Sequence, residues 1–257
     1  MVGEMSDGAR RMAWLRELGW GRCFIDRLGP STPGMREPCI FDNGAYRDWK
    51  ACQRGTRPDP YLDIPAFRRR LWAAEQSSYP PHFAVVPDIV RGGQESLAYS
   101  LAWLDESQRC DELDLPAAWP WYLAVQDGMT LDDVERVLRA DPERFQVPVS
   151  GLFIGGGPAF KEGAASWAAL AHAHGIPCHF GSCSTPARLA LAVAAGCDSA
   201  DSAFMLWTNE RFVGWALQWA ELTNRPERVE WMREHAELGP IVAALTAPSP
   251  YLFREVA

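Results

Sequence analysis

The sequence lacks several features that would place it in a specialised class of protein. No apolar run approaches the ~18 residues of a membrane-spanning helix. The first residues include Glu4 and Asp7 and show no apolar segment typical of a signal peptide, so we expect none. No Cys-x-x-Cys pair occurs, and the seven cysteines are an odd number. Reduced thiols in a cytoplasmic protein without membrane association are therefore favoured over a disulfide framework.

Basic residues are also few, with 25 lysines and arginines against 33 acidic residues and a net charge of −8. This balance argues against broad electrostatic binding of nucleic acid, which usually requires a basic footprint. A local basic rim remains open, and Arg10–Arg11 and Arg68–Arg70 are candidates for one. The alternative for both runs is an ordinary solvated helix face.

The alternation of apolar runs with helical segments predicts the fold class. Strand-like runs separated by helices of 10–15 residues are typical of a parallel sheet. Because no early Gly-x-Gly-x-x-Gly follows a first strand, we predict an α/β TIM-like (β/α)8 barrel rather than a doubly wound sheet. Six or seven strands are recognisable and the eighth is not evident, so the barrel is expected to be irregular. One domain should span residues 1–257, with a core over 39–207 and a helical C-terminal extension over 208–257.

Local patterns give the expected elements. A short helix is expected within residues 1–20. A helix beginning after Thr130 is indicated by the N-cap residue type and by Asp133 three residues later. The predicted strands cover 22–28, 39–41, 82–86, 121–125, 151–154 and 178–180, and the other predicted helices cover 66–76, 94–108, 161–174 and 185–195.

Polar or glycine residues follow most of these strands. Asp42, Asp88, Gln126 and Gly155–Gly157 each stand where an apolar run stops, and Asp198 and Asp201 lie in a late segment flanked by apolar residues. A parallel barrel collects its strand ends at one face, so these groups should line one pocket. Taken singly, each aspartate is as well explained as a turn or capping residue, and the glycines as a turn.

Such a set of groups suits attack at a glycosidic carbon. A carboxylate nucleophile, for which we favour Asp201, can form a covalent sugar intermediate, and a second acidic group can transfer a proton to and from the leaving base. A guanine-like base presents N–H donors that suit carboxylates and a carbonyl that suits amide or backbone N–H groups.

Six short motifs then carry a resemblance to a known family. They are Phe41-Asp42-Asn43-Gly44-Ala45-Tyr46, Val85-Val86-Pro87-Asp88, Ala124-Val125-Gln126-Asp127-Gly128, Gly151-Leu152-Phe153-Ile154-Gly155-Gly156, the turn from Phe180-Gly181 to Thr185-Pro186, and Gly196-Cys197-Asp198-Ser199-Ala200-Asp201. In this order they resemble motifs of the tRNA-guanine transglycosylase superfamily, including relatives that place 7-deazaguanines in DNA. The resemblance covers residues 41–204, about two-thirds of the chain.

The resemblance implies a role for each matching position. Asp201 matches the nucleophile and Asp42 the general acid/base. Asp198 matches a partner aspartate in the substrate site, and it is the second choice for the nucleophile. The positions that match base-binding groups are Asp88, Gln126, Gly155, Gly156 and Tyr46, the last as an aromatic ring that stacks on the base.

The chain also departs from the family pattern. The zinc site of the tRNA-acting members is missing because no cysteine follows Cys197, and the basic C-terminal subdomain that grips tRNA is not visible. The short relatives of phages and mobile elements are therefore the better match, and DNA is favoured over tRNA. Cys178, His179 and Cys183 are an alternative set of metal ligands, but their spacing is poor for a tetrahedral site. No metal or cofactor is expected.

The leading hypothesis is an enzyme that exchanges guanine for a 7-deazaguanine in a polynucleotide through an aspartyl–sugar intermediate. Its expected partners are the base, the DNA or tRNA substrate, and a second protein or a second copy of the chain. Three alternatives remain: a glycosidase that uses water, a non-catalytic 7-deazapurine-binding subunit, and an unrelated barrel enzyme that binds a phosphorylated metabolite at Gly181-Ser182.

Overall fold

The structure, a computed structural model, describes six stretches of the chain: residues 22–24, 39–76, 81–105, 118–140, 148–183 and 186–201. The helix expected within residues 1–20, the Arg10–Arg11 pair and the extension over 208–257 lie outside the described residues.

A parallel sheet organises these stretches. Its seven strands lie side by side in sequence order, and every neighbouring pair is parallel. Such an order places each new strand on the same edge, so the sheet never reverses direction as a doubly wound sheet does. The strands are β1 (Arg22–Phe24), β2 (Cys39–Phe41), β3 (Phe83–Val85), β4 (Trp121–Val125), β5 (Val149–Ile154), β6 (Cys178–Phe180) and β7 (Ser199–Ala200).

Helices connect the strands. They are α1 (Ala45–Gln53), α2 (Ile64–Glu75), α3 (Gly93–Leu104), α4 (Leu131–Leu138), α5 (Pro158–Lys161), α6 (Ala164–Ala173) and α7 (Pro186–Ala194). The helix predicted over 161–174 is divided, with Gly163 as the N-cap of α6. Helix α1 was not predicted, and only Ala45 and Asp48 of its nine residues are buried.

The predicted start of α4 is confirmed. Thr130 Oγ1 accepts a hydrogen bond from the Asp133 N–H at 3.2 Å, and Asp133 Oδ2 accepts one from the Thr130 N–H at 3.2 Å. This reciprocal capping box satisfies two N–H groups that a helix start otherwise leaves unpaired.

Side chains alternate between two faces of the sheet, as strand geometry requires. On β4, Trp121, Leu123 and Val125 point to an outer face covered by helices, where they join two apolar clusters with residues of α2, α3, α4 and α6. Tyr122 and Ala124 point to an inner face. Because both faces of β4 are buried, it appears in the sequence as a continuous apolar run.

The inner face shows that the sheet is curled. Phe83 on β3 stacks on Tyr122 with ring centroids 3.9 Å apart, and His179 on β6 stacks on Phe153 at 5.1 Å. Phe83 and His179 are three strands apart, about 14 Å in a flat sheet, yet their ring centroids are 5.0 Å apart. The strands therefore wrap around these four rings.

The glycine that directly follows β6 makes room for one of the rings. A Cβ atom on Gly181 would lie 2.5 Å from the Phe153 ring, too close for any side chain. The described chain is thus an α/β protein with a curled, parallel, barrel-like sheet. None of its described helices combines the length and the apolarity needed to cross a bilayer.

The capping box gives a stability prediction. Thr130→Ala removes the hydroxyl that accepts from Asp133 and should lower the free energy of unfolding by about 1 kcal/mol, measured by urea denaturation. Thr130→Ser keeps the hydroxyl and should stay within about 0.5 kcal/mol of the parent chain. Equal losses in the two variants would show that the capping hydroxyl is not what stabilises this helix start.

Candidate active site

Polar side chains gather at the carboxyl edge of the curled sheet. Asp42 directly follows β2, Gln126 follows β4 and Asp201 follows β7, while Asp88 lies three residues beyond β3. Since all strands are parallel, these positions share one edge. Asp201 is close enough to Asp42 across the curl for its charge to raise the pKa of Asp42.

Asp201 is held through one of its two carboxylate oxygens. Its Oδ1 lies 3.1 Å from His179 Nε2 and accepts the Ser182 N–H at 2.8 Å. Oδ2 accepts no hydrogen bond from the described residues, and 24% of the side chain is exposed. The carboxylate is therefore oriented on one side and open on the other.

The backbone around Ser182 is shaped to make this contact. Ser182 has φ +56°, a left-handed conformation that non-glycine residues seldom adopt. Its N–H is committed to Asp201, so the turn at Gly181-Ser182 does not present that donor to a phosphate. This placement weakens the alternative of a phosphate-binding turn.

His179 connects Asp201 to the core. The residue is fully buried, with Nδ1 2.7 Å from Ser199 Oγ and Nε2 directed at Asp201. Both ring nitrogens thus have partners, and the ring is fixed between Phe83 and Phe153. A buried and fully bonded imidazole holds the Asp201 carboxylate in a defined direction.

Asp42 lies in a different environment. Its Oδ1 accepts the Gly44 N–H at 2.7 Å, and the Cys23 thiol is 3.9 Å from its Oδ2. Burial raises the pKa of Asp42 and the charge of Asp201 raises it further, while the Gly44 N–H and Arg70 act in the opposite direction. The net result is a pKa above the ordinary value.

The pKa of Asp201 shifts the other way. Burial acts to raise the pKa of Asp201, but the hydrogen bond and charge of His179, the Ser182 N–H and the charge of Lys161 together hold it below the ordinary value. Two carboxyl groups at one edge thus have pKa values pushed apart. Such a pair suits one anionic group and one proton donor.

Asp88 is the centre of a buried hydrogen-bond network. Its Oδ1 accepts from Asn43 Nδ2 at 2.6 Å, and its Oδ2 accepts from the Gln126 amide. Burial raises the pKa of Asp88 to about 7; the Asn43 hydrogen bond opposes this rise, and the charge of Asp42 adds to it. Asp88 and Gln126, both predicted to bind a base, are therefore in direct contact.

The orientation of the Gln126 amide follows from its neighbours. Its Oε1 accepts the Arg91 N–H at 2.5 Å, so the NH2 group must face Asp88. Arg91 has φ +60°, another left-handed position that is stabilised by this contact. The amide is thus locked between a donor and an acceptor.

The glycine positions are placed beside this network. The Gly155 N–H is bonded to the Val125 carbonyl at 2.9 Å as an extension of the sheet. At Gly156, which has φ +75°, a Cβ atom would lie 2.7 Å from Asp127 Oδ2. Asp127 also accepts the Gly157 N–H at 2.7 Å, so this carboxylate fixes the glycine turn.

Two predicted residues make no hydrogen bond with this group in the described chain. Asp198 accepts the Cys178 N–H at 2.7 Å and contacts His172 Nε2 at 2.9 Å, at the amino end of β6. The structure does not bring Asp198 to the carboxyl edge, which leaves Asp201 as the nucleophile candidate. Tyr46 is on α1 near Asp42, but its ring is 53% exposed and stacks on Trp49.

Arg70 corrects one expectation from the sequence. The Arg68–Arg70 run was a candidate rim or solvated face, yet Arg70 is buried and its Nη2 donates to the Asn43 carbonyl at 2.8 Å. It also fills the space beside Gly44, where a Cβ would lie 2.5 Å from Nη1 and where φ is +82°. Arg70 therefore holds the backbone of the turn that follows Asp42 in place.

Sequence reasoning missed Lys161 and did not assign His179 to this site. Lys161 is buried with Nζ 2.5 Å from the Gly181 carbonyl; burial lowers its pKa, against the charge of Asp201. Nothing in its helical context indicated this position. For His179 a signal was available, because it is a polar residue between the apolar Cys178 and Phe180 on a predicted strand.

Metal ligation by Cys178, His179 and Cys183 finds no support in this arrangement. Cys178 belongs to the outer apolar cluster, whereas His179 faces inward with both nitrogens bonded. Across the described stretches, no group of three or more His, Cys, Asp or Glu side chains is arranged to hold a metal ion.

No protein-family model, curated protein or solved structure matches the chain. The function is therefore inferred from the chemistry of the site.

The raised pKa of Asp88 predicts that the free energy of unfolding depends on pH. A carboxyl group whose pKa is raised in the folded state stabilises the fold at low pH, and this contribution is lost as the pH rises through the folded value near 7. Because each tenfold change in proton affinity between the folded and unfolded states corresponds to about 1.4 kcal/mol, the loss between about pH 4 and pH 8 should approach 4 kcal/mol.

Urea denaturation of the parent chain and of Asp88→Asn across this range isolates the effect, because contributions of other groups cancel in the difference. The advantage of the parent chain over Asp88→Asn should shrink as the pH rises. Parallel pH profiles for the two proteins would mean that Asp88 titrates normally.

Proposed function

We propose that the chain is a transglycosylase that exchanges guanine for a 7-deazaguanine in a polynucleotide, with Asp201 as the nucleophile. The observation that carries the proposal is the pair of carboxyl groups with opposite pKa shifts at one edge, lowered at Asp201 and raised at Asp42. The resemblance of the six ordered motifs to the tRNA-guanine transglycosylase superfamily supports the same assignment.

The reaction would proceed in two displacements. Asp201 Oδ2 attacks C1′ of the target nucleotide, and the glycosidic electron pair leaves with guanine while Asp42 donates a proton to the departing base. The incoming base then gives a proton to Asp42 and attacks C1′, which releases the Asp201 carboxylate. The first step needs an anionic Asp201 and a protonated Asp42, in agreement with the two pKa directions. In the second step the deprotonated Asp42 is the base and the Asp201 carboxylate is the leaving group.

Asp88 and Gln126 are suited to hold the base. A guanine-type edge offers N–H donors to a carboxylate and a carbonyl acceptor to an amide N–H. In the structure the Gln126 amide donates to Asp88, so the two side chains satisfy each other. An entering base would take over both contacts, so neither buried group loses its partner on binding.

DNA is favoured over tRNA as the polynucleotide, because no cysteine follows Cys197 to form the zinc site that tRNA-acting relatives carry. The proposal includes a complete TIM-like barrel around the site. The sequence order of the seven strands and the inner rings that meet across the curl support this architecture.

Asp201→Asn tests the nucleophile with Asp198→Asn as a matched control. Both changes replace a carboxylate by a near-isosteric amide three residues apart, but only Asp201 faces the site. Exchange of radiolabelled guanine into DNA or tRNA should fall by several orders of magnitude in Asp201→Asn and stay close to the parent rate in Asp198→Asn.

A covalent adduct provides the second measurement. With a base that cannot complete the exchange, the parent chain and Asp198→Asn should retain labelled polynucleotide on a denaturing gel, whereas Asp201→Asn should not. Loss of the adduct in Asp198→Asn alone would identify Asp198 as the nucleophile. Full exchange in both variants would remove the transglycosylase proposal.

Base recognition is tested at Asp88. In Asp88→Asn an amide replaces one of the two acceptor oxygens, so a guanine-type edge meets a donor where it needs an acceptor. Such a mismatch costs about 1–3 kcal/mol, or roughly 5- to 150-fold in Kd, measured by calorimetry with guanine and 7-deazaguanine. Asp59→Asn, at a half-exposed carboxylate, should bind as the parent chain does. Unchanged affinity in Asp88→Asn would contradict its assigned role.

A further inference from the structure

Helix α1 carries a stacked aromatic pair beside the site, in which Tyr46 is exposed and Trp49 is half-buried. Tyr46 and Trp49 lie one turn apart, with ring centroids 5.8 Å apart and planes inclined by 19°. Tyr46 is 53% exposed, although an aromatic ring of this size usually contributes to the core. The Tyr46 ring, with Trp49 stacked beside it, is therefore available to a partner that can stack on it.

Two cations accompany the rings. Lys50 Nζ lies 4.6 Å from the centre of the Tyr46 ring, and Arg91 Cζ lies 5.4 Å from the centre of the Trp49 ring. We name Tyr46, Trp49, Lys50 and Arg91 the aromatic platform. In a chain with net charge −8, the aromatic platform thus places two positive charges against its two stacked rings.

The aromatic platform is continuous with the carboxyl edge. Helix α1 begins at Ala45, three residues after Asp42. The backbone N–H of Arg91 binds Gln126 Oε1, so the residue that covers Trp49 also touches the base-recognition network. A ligand that extends out of the site on this side would therefore contact the aromatic platform.

We propose that the aromatic platform binds a single-stranded polynucleotide segment next to the target nucleotide. Bases of a single strand have free faces that stack on Tyr46 and Trp49, while the phosphates contact Lys50 and Arg91. This proposal rests on the proposed function in one respect, because it takes the bound strand to run from the aromatic platform into the active site.

The combination of rings and cations selects this partner over others. A duplex keeps its base faces closed, so it would use the cations and leave the rings exposed. An acidic peptide likewise satisfies the cations without the stacking surfaces. A single strand offers both stacking faces and negative charge, the two features that the aromatic platform matches.

Fluorescence anisotropy with the full chain carrying Asp201→Asn tests the binding without covalent capture. The probes are a labelled DNA strand, an RNA strand of the same sequence, and the DNA duplex. Both single strands should bind more tightly than the duplex, and a preference between DNA and RNA would identify the natural polynucleotide.

Matched variants assign the binding to the rings. Tyr46→Leu and Trp49→Leu should each weaken single-strand binding by about tenfold, as loss of a base-stacking ring does. Tyr46→Phe keeps the ring and should bind as the parent chain does. Trp72→Leu is the control, because Trp72 is 64% exposed on a different helix, α2, and outside the aromatic platform.

The dependence of Kd on salt concentration tests whether the cations of the aromatic platform contact phosphates. Lys50→Gln should reduce the slope of log Kd against log salt concentration by about 0.7, the value for one phosphate contact on a single strand. Unlabelled single strand should displace the probe at concentrations where polyglutamate does not.

Four results would each overturn the proposal. Single-strand binding could survive both leucine variants, or the duplex could bind as tightly as the single strands. Polyglutamate could displace the probe as well as the unlabelled strand does, or no probe could bind. Exchange assays separate this result from the proposed function. Ring-dependent binding without exchange leaves the aromatic platform intact and removes the transglycosylase. Exchange activity with unchanged affinity and KM in both leucine variants removes the aromatic platform as a binding surface and leaves the transglycosylase proposal intact.

Discussion

The packing of His179 on the inner face is the interaction on which the site depends. Its ring lies between Phe83 of β3 and Phe153 of β5. Its two nitrogens contact Ser199 and Asp201. The same contacts that bend the sheet therefore orient the carboxylate at its edge. Without the curl, β7 and β2 would lie far apart and Asp201 could not influence the pKa of Asp42.

Around this core the carboxyl groups are differentiated by their partners. Asp201 has an imidazole, a backbone N–H and the charge of Lys161, which stabilise its anion, whereas the pKa values of Asp42 and Asp88 are raised by burial and by neighbouring carboxylates. One fold thus keeps one carboxyl group charged beside two that hold protons more readily. That division of roles is what a two-step displacement at a sugar carbon requires.

Much of the architecture could be predicted from local sequence. Apolar runs such as 121–125, buried on both faces, indicated parallel strands, and the Thr130 and Asp133 pair marked a helix start. The aspartates and Gln126 that follow these runs share one edge because parallel strands end together. Helix α1 escaped prediction since it buries few residues, and β7 has only two residues, too few to show a period.

The sequence by itself determined the element order, the parallel sheet and the set of polar strand ends. Tertiary structure alone decided which of them cooperate. Asp198 directly precedes β7 and Asp201 directly follows it, so the two carboxylates lie at opposite ends of this strand, and only Asp201 meets His179. Likewise Arg70, one of three consecutive arginines, is buried against Asn43. Which residues meet depends on how the strands and helices pack, and local pattern does not contain that information.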